Sequence, residues 1–148
     1  MAIWPQAWLA FVEVWKQFPN LTVVVGRNEK EDDDWLVVAC GTDQERPVDL
    51  PTSFNGVQVE YVSAGPARVL DQDAWQAVHD AYFGLVKQGA ILSCAPEPEK
   101  TLAVFWVPVD AVGVNYPEEV SGVKILLNWL PRPSESARAH LLGGNHGD

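Results

Sequence analysis

The sequence predicts an α+β fold made by internal duplication of an αβββ unit, with two helices packed on one face of a mostly antiparallel sheet and a pseudo-two-fold axis between the halves. Three echoes, met in order along the chain, carry that expectation. "QAWLAFVEVW" (6–15) returns as "DAWQAVHDAY" (73–82), where Ala7, Trp8 and Ala10 match Ala74, Trp75 and Ala77, and Trp15 matches Tyr82. "WLVVAC" (35–40) lies 67 positions before "LAVFWV" (102–107). "LPTSFNGVQV" (50–59) lies 66 positions before "YPEEVSGVKI" (116–125), and the pair shares Pro51/Pro117 and Gly56-Val57/Gly122-Val123. Generic amphipathic segments would share periodicity, but they would not hold so steady an offset.

The elements follow in order. Trp4, Trp8, Phe11, Val12, Trp15 and Phe18 recur at steps of three and four, a helical stripe over residues 5–18. Pro5 suits the first turn, where its missing N–H is not needed, and "FPN" ends the helix because the residue before a proline avoids the helical region. "LTVVVGR" (21–27) and "WLVVACG" (35–41) are β-branched strands joined by the charged turn "NEKEDDD". "GVQVEYV" (56–62) alternates apolar and polar residues, so it has one buried and one wet face.

The second half repeats the plan. Asp71 caps a helix whose stripe is Trp75, Val78, Tyr82, Leu85 and Val86, and Gly89 stops it. Strands are expected at "AILSCA" (90–95), "LAVFWVPV" (102–109) and "GVKILLNWL" (122–130), with an acidic turn "PEPEKT" between the first two. "PRPSESARAHLLGG" could hold a short helix, and the end is expected to be mobile. The chain is thus one domain of two repeats, about 4–67 and 71–133, followed by a C-terminal segment, 134–148. One αβββ unit buries too little by itself, whereas two share a core and close their open edges. The expected core is Trp8, Phe11, Trp15, Val23, Val37, Val57, Val59, Trp75, Val78, Tyr82, Val104, Val123 and Ile125.

Duplicated α+β units of this outline resemble, at the level of fold, the paired modules of GyrI-like ligand-binding domains, which implies a groove between the repeats. "LPTSFNGVQVEYVSAG" (50–65) resembles a segment of small domains found beside bacterial trypsin-like peptidases. Neither resemblance assigns a functional residue.

Bulk chemistry narrows the function classes. A chain of 148 residues with 47% hydrophobic content and seven tryptophans can bury a core without staples. Its net charge of −10 argues against nucleic acid and anionic lipid as partners and is compatible with a basic protein. Cys40 and Cys94 sit in apolar surroundings without C-x-x-C spacing, and they read as free thiols in a reducing compartment. The segment "MAIWPQAW" lacks a basic n-region and an unbroken apolar core, so a cytoplasmic location is expected.

Nothing in the chain assembles a nucleophile, base and orienting partner, and no phosphate loop or dinucleotide fingerprint occurs. His79 reads as a surface histidine, and His140 and His146 lack ligand spacing, so neither metal nor cofactor is expected. "EKEDDDW" lacks the glycine of a calcium loop. The favoured reading is a non-enzymatic protein-interaction module of adaptor, inhibitor or immunity type. It would bind a basic protein, or a second copy of itself, through an apolar outer sheet face carrying Phe105 or Trp106 with Leu126 and Trp129. Asp32, Asp33 and Asp34 in the acidic turn would steer the approach. The alternative is a small-molecule-binding domain with its ligand in the groove between the repeats.

Overall fold

A computed structural model describes residues 2–28 and 34–132. The fold is α+β, with two helices and two four-stranded mixed sheets. Helix α1 (Trp4–Gln17) begins with Pro5 in its first turn and with the Gln6 side chain accepting the Ile3 N–H at 3.0 Å. It ends where Phe18 meets Pro19. Helix α2 (Gln72–Lys87) is capped as the sequence indicates: Asp71 Oδ1 accepts the Ala74 N–H at 3.0 Å.

The first sheet holds β1 (Thr22–Arg27), β2 (Trp35–Gly41), β3 (Ser53–Phe54) and β4 (Val57–Ser63), in the order β1-β2-β4-β3. The second holds β5 (Ser93–Glu97), β6 (Leu102–Pro108), β7 (Glu119–Val120) and β8 (Val123–Leu130), in the order β5-β6-β8-β7. In both sheets the outer pairs are antiparallel and the central pair, β2–β4 or β6–β8, is parallel.

Two points correct the sequence reading. Each half has four strands rather than three, because Ser53–Phe54 and Glu119–Val120 fold back as short edge strands. Their turns have positive φ at both central residues, 48° and 82° at Asn55-Gly56 and 51° and 87° at Ser121-Gly122. That geometry matches the right-handed twist of a two-residue hairpin. The central pairs are parallel because the loops 42–52 and 109–118 carry the chain back along the strand, which a tight turn cannot do. Arg46 braces the first of these loops, donating to the carbonyls of Leu50, Pro51 and Val59.

Packing divides by strand face. Val23, Val25, Val37, Ala39, Ala103, Phe105, Val107 and Ile125 face a main core shared with both helices. The alternate residues do not face solvent: Val24, Cys40, Leu102, Val104 and Leu126, drawn from both sheets, form a second core. The outer face expected to lie open in the second half is therefore largely covered by the first sheet. The signal was in the chain, since "TVVVG", "WLVVAC" and "LAVFWV" are unbroken apolar runs of the kind strands show when buried on both faces. By contrast β4 alternates buried and exposed residues over Val57–Glu60.

Helix α1 brings a third correction. Its buried stripe is Ala7, Ala10 and Val14 rather than the aromatic one. Small residues let the helix sit close to the sheet, which turns the large rings onto its flank. Trp8 and Phe11 are half-buried there, as are Trp75 and Tyr82 on α2, while Trp15 is 56% exposed.

Candidate functional site

The flank of α1 is an aromatic ladder. Trp4 stacks on Trp8 with ring centres 5.4 Å apart, and Trp8 meets Phe11 at 4.9 Å. Trp4 Nε1 donates to the Trp129 carbonyl at 2.8 Å, tying the start of α1 to the end of β8. Opposite the ladder stands the even-numbered face of β6, with Val104 and the half-buried Trp106. Between them runs a groove of about 520 Å³, bounded by Trp8, Phe11 and Trp15 on one side and Trp106 on the other. It is of ligand-site size and lies where the first half of the chain meets the second.

Polar groups sit at two places along it. Asn128, 1% exposed, lies on β8 at the floor. Its Oδ1 accepts the Val25 N–H at 3.0 Å, where β1 runs beside the free edge of β8. At the β5 end, Lys100 Nζ donates to Thr22 Oγ1 at 3.0 Å, and Thr22 Oγ1 donates to Glu97 Oε1 at 2.8 Å. Lys100 and Glu97 also form an ion pair at 3.4 Å, so this end carries no net charge.

The residues singled out from sequence scatter. Trp106 lines the groove. Leu126 is buried in the second core, and Phe105 and Trp129 are buried in the main one. Trp129 packs edge-on against Tyr116, and the Arg27 guanidinium lies 5.1 Å from its ring centre and 5.2 Å from that of Trp35. Asp34 joins two segments: Oδ1 accepts the Ala2 N–H and Oδ2 accepts from Asn28 Nδ2, each at 2.8 Å. The Ala2 N–H, followed by the Asn28 amide, holds its carboxyl below the usual range. Asp32 and Asp33 lie outside the described residues, as does the expected helix within 134–148.

Three groove residues escaped the sequence reading. Thr22 reads as strand and Glu97 as turn, and Asn128, not singled out from sequence, interrupts the apolar end of the strand "GVKILLNWL". That interruption was the available sign, because an amide inside an apolar strand needs a partner. Cys40 and Cys94 are free, and burial pushes both thiols up from their ordinary pKa. His79 is exposed and packs against the Phe83 ring at 4.5 Å. Among the described residues no group of three or more metal-ligating side chains gathers, and no helix is long and apolar enough to cross a membrane.

The geometry defines an α+β module with a groove at the junction of its two halves. No protein-family model matches the chain, and no curated protein matches it significantly.

Proposed function

We propose that the protein is a non-enzymatic binding module whose site is the groove between α1 and the second sheet. The observation that carries this reading is an aromatic cleft of about 520 Å³ with Trp8, Phe11 and Trp106 converging on a single buried amide. Rings left half-buried along a cleft gain packing contacts with a ligand that enters it. Nile red, an uncharged dye that brightens in apolar surroundings, supplies the test. Its emission rises with the folded protein and falls several-fold for Trp106→Ala. Absence of a rise with folded wild type, or equal emission from the variant, refutes the groove.

The same reading covers the origin of the cleft. We infer that the halves descend from one αββββ unit and keep a pseudo-two-fold relation. The repeated strand order, the parallel central pairs and the matched positive-φ turns support this. A groove at the junction then follows from joining two units whose facing surfaces differ.

A protein partner is the second reading, and one observation favours it. Trp15 and Leu9 on α1 are 56% and 68% exposed, and Trp15 borders the groove. A partner's apolar side chain could enter there, and the net charge of −10 would favour a basic protein over nucleic acid or membrane. A second copy is the simplest such partner in a cytoplasmic setting. Light scattering across concentration tests that version, with a Trp15→Ser variant expected to shift the equilibrium toward monomer.

A further inference from the structure

We propose that the groove selects an uncharged, planar ring ligand bearing a hydrogen-bond acceptor, taken up by Asn128. This rests on the groove reading and specifies its chemistry. The rings of Trp8, Phe11 and Trp106 line the walls, and aromatic walls favour flat rings over branched or strongly hydrated groups. At the floor, the Val25 N–H fixes which end of the Asn128 amide is the oxygen. The other end, Nδ2, carries two hydrogens and has no hydrogen-bond partner among the described residues, in a side chain that is 1% exposed. A donor on the lining of the groove, unpartnered within the described residues, favours an acceptor on whatever enters.

Charge selection comes from the other end. Lys100, Glu97 and Thr22 already satisfy one another, and the ion pair is neutral as a unit. A charged ligand would give up water and find no free counter-charge, and an anion would also meet a protein of net charge −10. A carbonyl oxygen on a flat ring satisfies all three conditions.

Three probes separate the elements of the proposal in ligand-detected NMR titrations. They are coumarin, naphthalene (two fused rings without an acceptor) and coumarin-3-carboxylate. Coumarin is expected to bind about tenfold more tightly than either of the others, the worth of one net hydrogen bond at the generous end. Asn128→Leu is expected to erase the advantage over naphthalene. Because that substitution also removes the Val25 bond, a second readout uses the unaltered protein. The Asn128 side-chain amide resonances shift on adding coumarin and stay put with naphthalene. Equal binding of coumarin and naphthalene overturns the ligand class and leaves the groove standing, as does an amide that ignores coumarin or a carboxylate that binds as tightly. If none of the three binds and Nile red also fails, the groove itself is refuted.

Discussion

Asn128 Oδ1 accepts the Val25 N–H at 3.0 Å, joining residues 103 positions apart. Among the described residues no ladder of backbone bonds joins the two sheets, so this side chain stands in for one where β1 meets β8. The short β7 pairs only with Val123 and Lys124, which leaves the second half of β8 open to that approach.

Removing the amide tests how much the junction depends on it. Asn128→Leu leaves the Val25 N–H buried without an acceptor, an expected loss of about 1–3 kcal/mol. Urea denaturation, followed by far-UV circular dichroism, measures it. A change below about 0.5 kcal/mol would mean that the sheets hold together without this bond.

Close packing between the first two strands makes a second case. A Cβ added at Gly26 would lie 2.8 Å from Val38 Cγ2 and 3.0 Å from Leu36 Cδ1. Val38 has a stiff, branched side chain, so the strand rather than the rotamer must yield. Gly26→Val is expected to cost about 1–3 kcal/mol, read from the shift in denaturation midpoint.

The matched turns predict opposite signs at their first and second central positions. Gly56 has φ +82° with nothing within 4 Å of an added Cβ, so Gly56→Ala meets backbone strain alone. A loss of about 1–2 kcal/mol is expected. Ser121 has φ 51° at the first central position of the other turn, where asparagine tolerates the left-handed region better than serine. Ser121→Asn should raise stability by about 0.5 kcal/mol, the scale of a favourable turn substitution.

Asp34 predicts a pH dependence with a definite sign. Its folded carboxyl is held below the ordinary value by the Ala2 N–H and then the Asn28 amide. Its contribution is therefore complete above the unfolded pKa and is lost as pH falls through the depressed folded one. Between pH 6 and pH 3 the wild type should lose more stability than Asp34→Asn, whose amide barely titrates. Parallel slopes in denaturation midpoint against pH would remove Asp34 from that account.

Periodicity and end chemistry were enough to locate both helices, because steps of three and four, Pro5, Asp71 and the Phe18–Pro19 break act within a few residues of each other. That each half carries a similar sheet was likewise readable, since the marks of that similarity are residue identities at a nearly constant offset. The parallel central pairs were not, because strand direction depends on the course of loops 42–52 and 109–118 and not on alternation within a strand. Nor was the groove. Which flank of α1 faces inward is decided by how closely Ala7, Ala10 and Val14 can approach a sheet, a property of two surfaces together. Long-range placement alone brought Trp106 and Asn128 opposite Trp8, so the site became visible only when the chain was seen folded.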